Sequence, residues 1–306
     1  ISEVLDDIID KNRNLTVDEA YECMDDLVSG NYPNVVVSSF LTALRMKGET
    51  IDEITGLTRS MKNHAVQIDY KPEDYLIETC GTGGDTFKTF NVSTVASIIA
   101  SAGGAKISKH GNRSVSSKFG GADALEALGV NIELSPEKVI NSIDKCNFAF
   151  IFAPIYHVAT KNVMMIRKQL KTRTVFNLLG PISCPTNVNA RLTGIYDPEL
   201  LETIAKVAMN LGVECGMIVH GFDENGKEIL QKLNQVEEAF DRKRFCYELK
   251  IKGLLCEAFA MILYGHRQEL TKFVPANLQE LERLEKMLNY LNMHFTEVIS
   301  LQDLAD

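Results

Sequence analysis

The chain has 306 residues, 45% hydrophobic and 24% charged, the balance of an ordinary globular protein. At roughly 100–200 residues per domain it is expected to fold as one large domain or a large one plus a small one, with a substantial core. Its 32 basic and 41 acidic residues give a net charge of −9, which argues against a nucleic-acid binder but leaves room for a local basic pocket around a phosphorylated ligand.

No apolar run reaches the length of about 18 residues needed to span a membrane. Residues 1–7 are acidic and amphipathic, unlike a secretory signal, and the missing initiator Met fits a trimmed chain. The seven cysteines (23, 80, 146, 184, 215, 246 and 256) are scattered, without a CxxC pair or Cys/His clustering. They read as thiols of a reducing cytoplasm.

Residues 1–66 read as a small all-helical unit. Thr16 is a candidate N-cap before an acidic first turn, and Tyr21, Met24 and Leu27 recur at helical spacing. Gly30-Asn31-Tyr32-Pro33 stops that helix. A second apolar helix is expected over 35–46. Thr50 caps a third over 51–61, with Glu53 placed for a capping box. From about residue 70 the character changes. Short strands are expected at 75–79, 105–108, 147–153, 192–196 and 216–220. Helices are expected at 92–102, 122–128 and 198–211. Strands alternating with helices predict a mainly parallel sheet covered on both faces. Residues 226–306 carry long helical patterns, for instance 278–291 with Leu281, Leu284, Met287 and Leu291. The fold class is therefore α/β: a small N-terminal helical domain, 1–66, then a larger α/β domain, 67–306, with glycine-rich loops.

The chemistry concentrates in two strand–loop–helix units about 30 residues apart. In the first, Gly81-Thr82-Gly83-Gly84-Asp85 follows a strand end. Glycines let successive N–H groups turn toward one point, and the next helix brings its positive N-terminus there. Asn91, Ser93 and Thr94 add side-chain donors and acceptors. Asp85 would repel a bare phosphate but suits a sugar hydroxyl or a cation. The plainer reading is a tight turn before a capped helix. No Gly-Lys-Ser/Thr follows, and the glycine spacing is not GxGxxG, so neither a nucleotide P-loop nor a dinucleotide fingerprint is present. The second unit runs from Lys109 through His110, Gly111, Asn112, Arg113, Ser114, Val115, Ser116 and Ser117 to Lys118. It is too dense in cations and hydroxyls for a mere turn: Lys acts on phosphate as a point charge and Arg as a fork. Both loops fall at the carboxyl ends of their strands, where open α/β sheets bind ligands. Among the histidines, His110 is the one expected to face a ligand, His157 less so, and His64, His266 and His294 read as surface residues.

These two loops, together with residues 123–129, the helical stretch 40–50, Phe152-Ala153-Pro154, His157, Arg167 and Asn177-Leu178-Leu179-Gly180-Pro181, resemble the anthranilate phosphoribosyltransferases over residues 10–221 or so. The resemblance implies transfer of a phosphoribosyl group from phosphoribosyl pyrophosphate to anthranilate, with Mg²⁺. It implies that Gly81, Gly84, Asp85, Thr89, Asn91, Val92, Ser93 and Thr94 line phosphoribosyl pyrophosphate. Lys109, Gly111, Asn112, Arg113, Ser114, Ser116, Ser117 and Gly121 would continue that site. Anthranilate would meet Gly81, His110, Asn112, Pro154, His157 and Arg167, the last through its carboxylate. Ser93, Asp223 and Glu224 would serve the metal. It further implies a homodimer through the helical domain, a part of about 163–182 joining that domain, and a cytoplasmic enzyme with no nucleic-acid or membrane partner.

Two positions depart from the family pattern. Gly121 stands where the family usually has a phosphate-contacting serine. After His220-Gly221 the family's Asp-Glu-x-Ser is replaced by Phe222-Asp223-Glu224-Asn225-Gly226-Lys227-Glu228, in which Asp223-Glu224 comes early and Glu228 is a second acidic candidate. Loss of pyrophosphate from a ribose carbon puts negative charge on the leaving group, so placed donors and cations are expected to carry catalysis, without an acid–base residue or covalent intermediate. A nucleoside phosphorylase of similar plan, and a non-catalytic ligand- or nucleic-acid-binding relative, are the alternative readings.

Overall fold

The structure, a computed structural model, describes residues 1–82, 91–113 and 120–220. They belong to one compact unit, Ile1–Gly221. The helical pattern over 278–291 lies outside the described residues.

Four helices come first: α1 (Ser2–Lys11), α2 (Val17–Ser29), α3 (Asn34–Lys47) and α4 (Ile51–Asn63). Capping boxes start α2 and α4. Thr16 Oγ1 accepts from Glu19 N at 3.2 Å while Glu19 Oε2 accepts from Thr16 N at 2.9 Å. Thr50 and Glu53 repeat this at 3.3 and 2.8 Å. Gly30, at φ 72°, closes α2 in the left-handed conformation. A Cβ on Gly56 would lie 2.1 Å from Val17 O, so glycine is required where α4 meets the start of α2. Phe40, Leu41, Leu44, Ile54 and Leu57 form a fully buried apolar core with Met24 and Leu27.

The second half alternates. The elements are β1 (Leu76–Gly81), α5 (Val92–Ala102), β2 (Lys106–Gly111), α6 (Gly121–Ala127), α7 (Pro136–Cys146), β3 (Phe148–Phe152), α8 (Ala153–Tyr156), α9 (Lys161–Leu170), α10 (Phe176–Ile182), β4 (Ala190–Gly194), α11 (Leu201–Asn210) and β5 (Cys215–Val219). The five strands form one all-parallel sheet in the order β3-β2-β1-β4-β5. The order of winding therefore reverses at β1, with β2 and β3 laid to one side and β4 and β5 to the other, and a crevice beyond the carboxyl ends of β1 and β4 is the expected ligand position. Helices α9, α10 and α11 pack into the core of the first four through Val163, Ile166, Phe176, Leu179, Ile204 and Val207.

The strands differ from expectation at their ends. β1 and β2 run on to Gly81 and Gly111, so Lys109 and His110 lie within a strand and not in the loop after it. β4 begins at Ala190, two residues ahead of the expected 192–196. The reason is Arg191: a charged residue reads as loop, yet here it is an inward-facing strand residue with a buried partner. Helix α7 begins at Pro136 after Ser135, a start signal with proline in the first turn.

Candidate active site

The site begins at the ends of β1 and β2. Lys109 is 3% exposed, and its ammonium donates to Thr79 O and Ser93 Oγ, both at 2.9 Å. Two of its three donors are thus spoken for, and the third has no partner among the described residues. Burial holds the Lys109 pKa below its usual value. Asn91 caps α5: its Oδ1 accepts from Thr94 N at 3.0 Å and from the hydroxyls of Ser93 and Thr94 at 2.9 Å. Thr79 and Ser97 share a short hydrogen bond beneath. The start of α6 lies against the start of α5, since a Cβ on Gly121 would sit 3.2 Å from Thr94 Oγ1 and 3.5 Å from Asn91 Nδ2. A serine there, as in the family pattern, would press on the α5 cap. Gly111 is equally confined, 2.9 Å from the Phe150 ring for an added Cβ. Two helix starts and a buried cation thus converge beyond β1 and β2, an arrangement that binds anions.

The switch-point side is closed by backbone. Gly81 pairs in register with Gly194, Thr82 N donates to Gly194 O at 2.9 Å, and Tyr196 N donates to Thr82 Oγ1 at 2.9 Å. Val92 is the first residue of α5. Asn112 is exposed, and its Oδ1 accepts from Arg113 N at 2.7 Å. Arg113 is exposed and committed to α6, with Nη2 2.9 Å from Glu126 Oε1 and Nη1 3.4 Å from Asp123 Oδ1. Gly84, Asp85, Thr89, Ser114, Ser116, Ser117, Asp223, Glu224 and Glu228 lie outside the described residues.

The second half of the site is formed by α8, α9 and α10. Arg167, half-buried on α9, donates from Nη2 to Asn177 Oδ1 at 3.4 Å and stacks over the Phe176 ring at 5.1 Å. No carboxylate pairs with it among the described residues, and burial lowers its pKa. Such a guanidinium is suited to a ligand carboxylate. Pro154 is exposed at the start of α8. His157 is buried just past α8, 5.0 Å from the His110 ring. His110 Nδ1 lies 3.1 Å from Gly180 O, so it donates there. His110 is therefore an interior strand residue wedged against α10. Burial pushes His157 down to about 4, and burial with the neighbouring His157 pushes His110 well below 6.5, so both rings are neutral. His64 is exposed as expected, 3.0 Å from Asp25 Oδ1.

Sequence reasoning missed a buried pair. Glu78 on β1 stands in register with Arg191 on β4, and their side chains form a close ion pair at essentially zero exposure. Burial raises Glu78 to about 7 against the opposing pull of Arg191, Lys62 and Lys109. The residues are 113 apart in sequence, so neither the period nor the local motif shows the pairing; a charged residue in each of two apolar strands is the one available signal.

The fold is that of a parallel α/β protein with a helical bundle, and the helix starts beside a buried lysine suit an anionic ligand. Comparison with known proteins narrows this. The glycosyl transferase family a/b domain matches residues 73–278, and the glycosyl transferase family helical bundle domain matches residues 2–65. The anthranilate phosphoribosyltransferase of Methanosphaera stadtmanae is 96% identical over 236 residues, 77% of this chain and 68% of that protein. The crystal structure of the Thermus thermophilus enzyme is similar, with a TM-score of 0.66 and 38% identity over 71% of this chain and 65% of that one. The Saccharomyces cerevisiae enzyme, solved in complex with phosphoribosyl pyrophosphate and Mg, gives a TM-score of 0.67 and 30% identity over 74% of this chain and 66% of that one. The chain belongs to the anthranilate phosphoribosyltransferase family, and it spans about two thirds of the length of the relatives it matches.

Proposed function

We propose that this chain transfers the 5-phosphoribosyl group of phosphoribosyl pyrophosphate to the amine of anthranilate and releases pyrophosphate, a step of tryptophan biosynthesis. The carrying observation is the pairing of two cations: a buried, locked Lys109 beneath two helix starts, and an Arg167 with no carboxylate of its own among the described residues. The ribose C1–oxygen bond breaks toward pyrophosphate, the C1–nitrogen bond forms, and the amine proton leaves to solvent. Lys109, Asn91, Ser93, Thr94 and the N–H groups near Gly81, Gly111 and Gly121 hold the diphosphate and stabilise its charge as it departs. Val92, Asn112 and Arg113, with Gly84, Asp85, Thr89, Ser114, Ser116 and Ser117, complete that cradle in this reading. Arg167 orients anthranilate by its carboxylate, with Asn112, His110, His157 and Pro154 around it. The amine is neutral and nucleophilic at pH 7, so placing it is the main task.

Mg²⁺ is the metal of this reading. Among the described residues no group of three His, Cys, Asp or Glu is arranged for a metal. The hydroxyl of Ser93 is a hard oxygen that suits a metal held mainly by substrate phosphates and water. Asp223 and Glu224 are the proposed acidic ligands. When bound, the metal neutralises charge on the leaving diphosphate.

The proposed domains are 1–66 with part of about 163–182, and 67–306; the packing of α9 and α10 into the helical core supports the join. A homodimer through the helical domain is supported by Ile9, Val35 and Met46, which are 58%, 75% and 83% exposed on α1 and α3. Sedimentation at micromolar concentration reporting only monomer would overturn it. The free thiols of the described cysteines and the charge of −9 support a cytoplasmic enzyme without a nucleic-acid partner. No described helix is long and apolar enough to cross a membrane. The test of the reaction is loss of anthranilate fluorescence on adding phosphoribosyl pyrophosphate, with and without Mg²⁺. Magnesium-dependent consumption is expected. A folded sample that binds phosphoribosyl pyrophosphate but consumes no anthranilate would sink the catalytic reading and favour a ligand-binding relative.

A further inference from the structure

Helix α10 has seven residues, too few to hold together by its own hydrogen bonds. Its last carbonyls have no partners within the helix. Instead the sheet takes them. His110 on β2 donates to Gly180 O at 3.1 Å, and Arg191 on β4 donates to Pro181 O at 2.5 Å and Ile182 O at 3.5 Å. Glu78 on β1, between those strands, pairs with Arg191. At the other end Asn177 Oδ1 accepts from Thr174 N at 3.0 Å and from Arg167 Nη2 at 3.4 Å, and Phe176 lies under the guanidinium. One short helix thus has its tail bolted to the strands that carry the anion cradle, and its head on the arginine assigned to the acceptor's carboxylate.

We propose that α10 is a strut that sets the position of Arg167 against the cradle, with Asn177 the positioning residue at its head and the Glu78–Arg191 pair the anchor at its tail. The inference rests on the phosphoribosyl-transfer reading. Asn177 touches neither substrate in it. The Asn177 carboxamide tells Arg167 which way to point, and Arg191 tells the helix where to stop. A residue of purely structural value would change folding and leave substrate preference alone. A strut changes the acceptor side selectively.

The test uses the full chain with Asn177→Ala, a half-buried position where truncation leaves the core intact. The KM for anthranilate is expected to rise about tenfold, while that for phosphoribosyl pyrophosphate stays within about twofold. Benzoate, which keeps the carboxylate and lacks the amine, should weaken as an inhibitor by the same factor. Aniline, which lacks the carboxylate, should not. Arg191→Lys keeps the charge and loses the fork, and should reproduce the acceptor-side loss from the far end of the helix. An anthranilate KM within about twofold of the parent in Asn177→Ala, or an equal rise in both KM values, overturns the proposal. If the parent chain shows no turnover, the reaction is what fails. The strut is then judged by calorimetric titration of benzoate, where equal affinity in parent and Asn177→Ala overturns it and about tenfold weaker binding upholds it.

Discussion

The interior of the helical unit and the interior around the three central strands are built on different terms. Among α1 to α4 the buried residues are apolar or carry hydroxyls (Thr55, Thr58, Ser60), Glu53 is the buried acid, and that acid serves the helices themselves: it caps α4, accepts from Leu15 N at 2.9 Å and pairs with Lys47 at 2.9 Å. On β1, β2 and β4, by contrast, Glu78, Lys109, His110 and Arg191 are all 3% exposed or less. Taking a charge out of water costs several kcal/mol, and well-packed apolar residues would serve stability as well or better. Polar burial of that density on the central strands is what a fold tolerates where it must hold groups for a ligand. The first region is made to be stable and the second to be occupied.

The largest effects should fall cleanly on one side or the other. Phe40→Ala opens a cavity in the helical core and is expected to cost about 3–5 kcal/mol of unfolding free energy, read by denaturant titration, while both KM values stay unchanged in the folded fraction. Next is Lys109→Met. In the proposed reaction it should lower kcat/KM by about 10²–10³, or roughly 2.7–4 kcal/mol of transition-state stabilisation. Stability should hold or improve, because an amine that burial disfavours is replaced by an apolar chain. A Lys109→Met protein that unfolds yet keeps its rate would erase the distinction between the two regions.

Acid sharpens the same contrast with a smaller effect. His157 titrates near 4 in the fold and near 6.5 when unfolded. Between those values the unfolded chain binds the extra proton, so stability is full above about 6.5 and falls as pH drops toward 4. His157 alone accounts for at most about 3 kcal/mol. Glu78 works the other way: raised to about 7 from 4.5, it holds a proton in the fold that the unfolded chain has released, so its contribution is present below 4.5 and lost as pH rises toward 7. The two groups oppose each other between pH 6.5 and 4.5, so the readout is the difference between chains: removing the histidine in His157→Gln leaves the Glu78 contribution, and the variant's melting temperature should fall less, or rise more, than the parent's over that interval. An identical slope in the variant would remove neutral histidine burial as the cause.

The contrast also explains what could be read from the chain in advance. Helical periodicity, Thr16, Gly30 and the Thr50–Glu53 box are local signals, and the helices they foretold stand within a residue or two. The parallel sheet was legible from alternating strands and helices; most of the two glycine- and cation-rich loops, 83–90 and 114–119, lies outside the described residues. What escaped was set by contacts distant in sequence. Arg191 looked like loop because its partner Glu78 is on another strand, so β4 was expected two residues late. Lys109 and His110 looked like loop because strand residues facing a polar interior carry no apolar period. Asn177 stood out only as part of a motif shared with the family; its contact with Arg167, ten residues earlier on a neighbouring helix, was not legible.

The smallest prediction tests whether the helical unit is as locally encoded as it looks. Thr16 accepts one N–H at the start of α2, in an exposed turn. Its box partner Glu19 is also gripped by Arg13, whose Nη1 lies 3.0 Å from both carboxylate oxygens. Removing the threonine hydroxyl therefore strands a single solvent-accessible donor and leaves the acid in place. Thr16→Ala should cost about 1 kcal/mol, seen as a drop of a few degrees in melting temperature, with anthranilate and phosphoribosyl pyrophosphate KM values unchanged. A loss above about 3 kcal/mol would mean that this turn holds α2 against α4 and does not merely start a helix, since a lone cap has no more than about 2 to give. The close approach of Gly56 to Val17 O is the contact that such a result would implicate.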